Sequence, residues 1–370
     1  MRSLWSIMGA IFLLVITTAC LKMDKGARTV SVTVDSLPSK VPSIPCDDGV
    51  EQGLLAGKMN GVSLVAPPNP FKTDPVKALA ELDATWVAVL PYAYFKKNEP
   101  AIYAFSNNSW WGERPEGIAS SAEYAHQNGL KVMLKPQLWT HDQWIGNLEF
   151  DTEKDWKAFE QNYENFILKW AVIGDSLGVE LLCIGTELCK VVEERPQFWK
   201  QLCPKIRQVY KGKLTYAPNW DSYQEVTFWD ELDYIGVDAY FPLLKAQTPS
   251  VCALKEAWLP YVEKLKACSK KWDRPMLFTE YGYLSLDNCT HQTWELEKNR
   301  GSVNINEQAQ ANALEALLET FGKEDWWAGG FIWKWYPSYQ SAMGEGKHAR
   351  DYTPQGKQAQ TVLEQLFAPN

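Results

Sequence analysis

Residues 181–187 read Leu181-Leu182-Cys183-Ile184-Gly185-Thr186-Glu187, an apolar run of strand length closed by a carboxylate. Upstream of it, Trp156, Phe159, Tyr163, Phe166, Ile167 and Trp170 recur at steps of three and four residues, the spacing of one face of a helix. A helix feeding a buried strand is the unit of an alternating α/β chain. The same ending returns at Pro275-Met276-Leu277-Phe278-Thr279-Glu280, followed by Tyr281-Gly282-Tyr283. A buried strand that points a carboxylate from its tip is costly unless that charge is partnered or put to use.

Outward from these two runs, the pattern predicts eight strands: Asn60–Val65, Trp86–Pro91, Lys131–Gln137, Leu181–Glu187, Lys213–Asn219, Tyr234–Tyr240, Met276–Glu280 and Gly329–Trp335. Amphipathic stretches lie between them, such as Leu314, Leu317, Leu318 and Phe321. Val362, Leu363, Leu366 and Phe367 make a last helix, with Thr353 expected as its N-cap and Pro354 at its first position. Strands and helices alternating over this length predict one α/β domain, a single (β/α)8 TIM barrel over residues 58–370. A doubly wound sheet fits less well, because Ser63-Leu64-Val65-Ala66-Pro67-Pro68 is nothing like the Gly-rich phosphate loop such a sheet carries after its first strand.

The 370 residues are 46% hydrophobic, enough for a core, and the net charge of -8 argues against a nucleic-acid partner. The 18 Trp and 16 Tyr exceed ordinary usage; indole and phenol rings fill cores and also stack on the flat C–H faces of sugars. At the N-terminus, Arg2 precedes the apolar run Ile7–Ile16, too short to span a bilayer comfortably. Thr17-Thr18-Ala19-Cys20 then resembles a bacterial lipobox, with Thr17 where Leu is usual. Residues 1–20 are therefore expected to be a lipoprotein-type signal peptide and 21–57 a tether. The protein is expected in the bacterial cell envelope, periplasmic or surface-exposed, held to the membrane by a lipid on Cys20. The seven other cysteines are an odd number, which speaks against a disulfide framework. No CxxC or Cys/His cluster has metal-ligand spacing, so neither a metal nor a cofactor is expected.

In a barrel of this kind the chemistry sits at the C-terminal ends of the strands. Strict alternation assigns the inward face to Cys183, Gly185 and Glu187 in the fourth strand and to Met276, Phe278 and Glu280 in the seventh. It also aims Lys135 and Gln137, Asn219, Asp238 and Tyr240, and Trp333 inward. The fourth and seventh strands stand nearly opposite in an eight-strand ring. Carboxylates on their tips can approach to about 5–5.5 Å, the separation used in retaining glycoside hydrolysis.

Ile184-Gly185-Thr186-Glu187-Leu188, Phe278-Thr279-Glu280-Tyr281-Gly282, Gly330-Phe331-Ile332-Trp333-Lys334-Trp335 and Asp351-Tyr352-Thr353-Pro354-Gln355-Gly356-Lys357 together resemble glycoside hydrolase family 113, within clan A. The resemblance covers about residues 58–367. It implies β-mannanase activity on a β-linked polysaccharide or oligosaccharide, with Glu187 as acid/base, Glu280 as nucleophile and Trp333 as the floor under the cleaved sugar. One departure stands out: Thr186 occupies the position where most of the clan has Asn, whose amide binds the sugar 2-hydroxyl. A hydroxyl is shorter and makes fewer bonds, which leaves Asn219 as a candidate for that contact.

Other residues carry two readings. Tyr240 can hydrogen-bond Glu280 or pack at the rim, and Lys135 can pair with Asp238 or contact substrate. Trp110, Trp111, Trp139, Trp144 and Trp220 fall in βα loops or at strand ends, where each either stacks on a sugar or packs. His141, close to Trp139, could bind a hydroxyl. Gly174-Asp175-Ser176-Leu177-Gly178 matches the G-x-S-x-G nucleophile elbow but precedes a strand instead of following one, so it is read as a helix end. Two further functions compete with mannan hydrolysis: hydrolysis of another β-linked hexose glycan, and non-catalytic glycan binding by a surface lipoprotein. Two glutamates kept in matching contexts disfavour the latter.

Overall fold

A computed structural model of the chain describes residues 53–106, 109–141, 143–337 and 348–369. The expected signal peptide, the tether up to residue 52, Cys20 and Cys46 lie outside the described residues. The strands, in chain order, are β1 (Met59–Leu64), β2 (Trp86–Val89), β3 (Tyr92–Phe95), β4 (Ile102–Tyr103), β5 (Lys131–Leu134) and β6 (Gln137–Trp139). They continue with β7 (Leu181–Thr186), β8 (Lys213–Ala217), β9 (Ile235–Asp238), β10 (Met276–Tyr281) and β11 (Trp327–Trp335).

Eight of these form one parallel sheet in the order β8-β7-β5-β2-β1-β11-β10-β9. A parallel bridge between Asn219 and Asp238 brings its two edges together, so the sheet curls into a nearly closed ring with helices between its strands. This is the (β/α)8 barrel that the alternating pattern predicts. The helix Glu153–Ser176 shows how the sequence builds the outer layer. Thr152 caps it by accepting from the Asp155 N–H at 3.1 Å, and Trp156, Phe159, Tyr163, Phe166, Ile167 and Trp170 are buried along one face. Each such side chain contributes about 1.5–3 kcal/mol on burial. The helix ends at the G-x-S-x-G look-alike, where Gly178 takes φ +68 ahead of β7.

Two apolar layers result. Met59, Trp86, Met133, Leu181, Cys183 and Phe331 belong to the cluster inside the ring, while Val62, Val132, Ile184, Val237 and Phe278 face the helices. Here strict alternation fails in the two strands that matter most. In β10 it is Leu277 that lies inside, and Met276 and Phe278 pack outward. The ladder with β9 then shifts register between Phe278 and Glu280, which returns Glu280 to the barrel mouth. In β7 a Cβ on Gly185 would meet Tyr163, Trp199 and Tyr216 of the helix-facing layer at 2.8–2.9 Å, so Gly185 does not face inward. The pairing with β8 is irregular between Cys183 and Thr186, and Glu187 adopts φ +53, the left-handed region that few non-glycine residues visit. Bulges re-aim side chains at strand ends.

A second correction concerns the strands predicted to run through Pro91 and Pro136. Barrel pairing stops before each proline, which has no N–H to give a ladder. The chain then enters a separate three-stranded sheet, β4-β3-β6, in which Tyr92 pairs with Gln137 and Tyr94 with Trp139. A third is the last helix, Gln358–Phe367, which starts later than predicted. The Thr353 hydroxyl is buried and bonded to Gln355 at 2.9 Å, and Gly356 at φ +68 separates it from the helix. Leu55 is also buried, so the chain packs on the barrel before residue 58.

Candidate active site

Glu187 and Glu280 line one cavity of about 600 Å³ at the C-terminal mouth of the ring, together with Asn219, Trp220, Tyr240 and Trp333. Glu280 is the more firmly held. Its Oε1 accepts from the Lys135 ammonium at 2.5 Å and from the Gln137 amide at 3.0 Å, while Oε2 accepts from the Tyr240 hydroxyl at 3.0 Å. Lys135 also donates to Asp238 Oδ1 at 2.9 Å, and Thr279 donates to the same oxygen at 2.8 Å. Burial works against the charge on Lys135, but Asp238 and Glu280 outweigh it and push its pKa upward. Burial, and after it the charge of Glu280, pushes the Asp238 carboxyl well above the usual range. The Lys135 side chain has no exposed surface, so it acts on the carboxylates from below and does not reach the cavity.

Glu187 stands in different surroundings. Its one hydrogen-bonded partner among the described side chains is the indole N–H of Trp144, which donates to Oε2 at 2.6 Å. Burial raises the Glu187 pKa first and the negative charge of Glu280 second, to about 7, with Trp144 and Lys135 pulling the other way. A carboxyl raised in this way can hold a proton near neutral pH. One carboxylate faces a cation and two neutral donors; the other can still hold a proton.

The remaining sequence candidates divide between two places. Trp333 lines the cavity at the tip of β11, and the Trp333–Lys334 peptide is cis. Asn219 lines it too and donates to Asp221 at 2.8 Å, whereas Thr186 is buried and is not part of the lining. Trp220 stacks on Trp294 at 5.7 Å with 18° between planes. Trp139, which ends β6 on the three-stranded sheet, and His141 just beyond it are elsewhere, 4.1 Å apart between centroids. Trp139 lines a second, larger opening of about 840 Å³. Sequence reading missed Trp294 and Tyr352 as cavity residues and Trp144 as the partner of Glu187. Tyr352 lies within the quoted Asp351–Lys357 motif, so a signal for it was at hand. Trp294 sits in the short helix Thr293–Lys298 and Trp144 in a loop, and neither stretch is long enough to carry a periodicity.

The model of Glycoside Hydrolase Family 113 matches residues 69–357. Among solved structures, the chain is similar to the family 113 β-mannanase from Alicyclobacillus acidocaldarius in complex with ManMIm, with 26% identity and TM-score 0.74, covering 85% of this chain and 98% of that one. A complex structure of another family 113 β-1,4-mannanase is 23% identical with TM-score 0.71, covering 84% and 98%. The β-glucuronidase of Ruminococcus gnavus shares the fold at 13% identity and TM-score 0.54, covering 83% of this chain and 49% of its own. No curated protein matches the chain. A parallel barrel with two carboxylates in one mouth is the layout of the barrel glycoside hydrolases. The chain belongs to glycoside hydrolase family 113, and it is a glycoside hydrolase whose substrate is a glycan.

Proposed function

We propose that this enzyme is a retaining endo-β-1,4-mannanase that works by double displacement, with Glu280 as nucleophile and Glu187 as acid/base. The observation that carries the proposal is the unequal setting of the two carboxyls in one cavity. Glu280 faces Lys135, Gln137 and Tyr240, which orient its oxygens, while Glu187 is raised to about 7 and can deliver a proton. Glu280 attacks the anomeric carbon as Glu187 gives its proton to the glycosidic oxygen, and the leaving chain departs with that proton. The sugar is then bonded to Glu280. Glu187, now a carboxylate, takes a proton from water, whose oxygen displaces Glu280 and restores the original configuration.

The alternating charge on Glu280 assists Glu187 in both roles. While Glu280 is anionic it raises the Glu187 pKa; once esterified it no longer does, and Glu187 becomes the stronger acid whose conjugate base is needed next. Trp333 is the stacking floor for the cleaved sugar, Asn219 the contact to its 2-hydroxyl, and Lys135 a positioning residue. Mannan is favoured as substrate because both family 113 structures above are β-mannanases. Export as a lipoprotein anchored through Cys20 is part of the proposal. It rests on the Arg2–Cys20 segment and is supported by the disulfide at Cys252, a bond that persists in oxidising compartments.

The test is the purified protein on β-mannan, glucomannan, β-glucan and xylan, with the anomeric configuration of the first product read by NMR. Cleavage of the two mannans with retention is expected. Activity confined to β-glucan or xylan would remove the sugar assignment, and inversion would remove double displacement.

A further inference from the structure

The three-stranded sheet beside the barrel mouth carries rings on its outer face. Ala93, Phe95 and Leu138 turn into the core, and alternation leaves Tyr92, Tyr94, Gln137 and Trp139 on the opposite side. Register places Tyr94 between Trp139 on β6 and Tyr103 on β4. The Tyr94 centroid is 6.3 Å from Tyr103, 5.9 Å from Trp139 and 5.7 Å from His141. These rings are not buried by the fold: Trp139 is 44% exposed and Tyr103 43%. They border the opening of about 840 Å³, whose rim also holds Lys96 and Glu113.

The strip is tied to the catalytic pair through β6. Gln137, which donates to Glu280 at 3.0 Å, precedes Trp139 by one pleat repeat on the same face of β6. That repeat is about 7 Å, the scale of a single pyranose ring. Asn219 and the stacked pair Trp220 and Trp294 line the catalytic cavity but not the opening beside the strip. The half of the substrate that becomes bonded to Glu280 is the glycone, and the half that takes the proton of Glu187 is the leaving group.

We infer that the Tyr103–Tyr94–Trp139 strip is a binding platform for the sugar units that extend from the glycone, beyond the one attacked by Glu280. This rests on the proposed roles of Glu280 and Glu187. The flat C–H faces of β-linked hexoses stack on the rings, and Lys96 and Glu113 at the rim offer partners to hydroxyls. An open platform on the glycone side suits cleavage within a chain. An enzyme that removes single units from the non-reducing end needs that side closed.

The experiment uses Trp139→Ala, Tyr94→Ala and Tyr103→Ala, the last at an exposed edge where folding is least at stake, with thermal melts to show that each is folded. Two readouts separate the platform from the chemistry. In a Glu187→Gln background, calorimetry with mannohexaose is expected to show about tenfold weaker binding for each of the first two variants. In the active enzyme, mannohexaose tagged at its reducing end is expected to yield longer tagged products, because fewer units are held on the glycone side. Unchanged affinity and an unchanged product pattern in folded variants would overturn the inference, as would a shift to shorter tagged products. If the glycan panel shows cleavage of β-glucan instead of mannan, the sugar assignment falls by itself, and the same comparison is made with the β-glucan hexasaccharide.

Discussion

The tips of β7 and β10 end on the same residue type and treat it in opposite ways. At β10, Glu280 meets an ammonium and a phenol from just beyond two other barrel strands, β5 and β9, and an amide from β6 of the small sheet. At β7, Glu187 meets one indole N–H from a loop and stands on a left-handed backbone. A cation sits against the carboxylate of Glu280, while at Glu187 burial goes largely unanswered and the pKa rises to about 7. In the proposed mechanism, role is therefore set by the neighbours a strand tip is given, not by the glutamate itself.

The sharpest way to break this comparison is to remove each carboxylate. Glu280→Ala is expected to lose more than about a thousandfold in kcat on mannan while staying folded. Glu187→Ala is expected to lose about a hundredfold to ten-thousandfold on substrates with poor leaving groups. It should regain much of that rate with an aryl mannoside whose leaving group needs no proton. Added azide should then give a β-mannosyl azide from Glu187→Ala and at most an α-azide from Glu280→Ala. The reverse pattern would exchange the two roles.

Next in size is Lys135→Met. It leaves Asp238 and Glu280 buried without their cation, and removing one member of a buried pair costs about 3–5 kcal/mol. A chemical melt of the variant checks this, and stability close to wild type would mean the carboxylates take up protons at little cost. Trp333→Ala is expected to lower kcat by about tenfold, the effect of losing about 1.4 kcal/mol of stacking that tightens in the transition state. A rise in KM alone would show stacking that is uniform between ground and transition states.

The smallest effect is on pH. As the proposed acid Glu187 must be protonated to act on the free substrate, so kcat/KM should decline as the pH rises through about 7. The Trp144 N–H favours the ionised form of Glu187, so Trp144→Phe is expected to move the decline to higher pH. A limb that stays in place, or moves to lower pH, would mean that Trp144 does not set the acid's strength.

Much of this was legible in the sequence, for a physical reason. Each barrel strand is covered by helices outside and side chains inside, which demands apolar runs of strand length, and those runs are written locally. So are the helix faces and the carboxylates that close two of the strands. The partners of Glu280 were half legible: alternation aimed Lys135, Gln137 and Tyr240 at the mouth, but which of them touched the carboxylate was open.

Tertiary structure supplied what alternation cannot. Lys135 and Glu280 lie 145 residues apart, and only closure of the ring brings them to 2.5 Å. The register shifts in β7 and β10 are mismatches between neighbouring ladders, so neither strand shows them alone. Pro91 and Pro136 break the barrel ladders that the strand pattern ran through, and the small sheet beyond them exists only because β3 and β6 find each other across the fold. Local sequence thus determined the strands and the two glutamates. Pairing between distant segments gave each glutamate its surroundings, and Glu187 its raised affinity for a proton, because solvation and neighbouring charge are properties of the assembled interior.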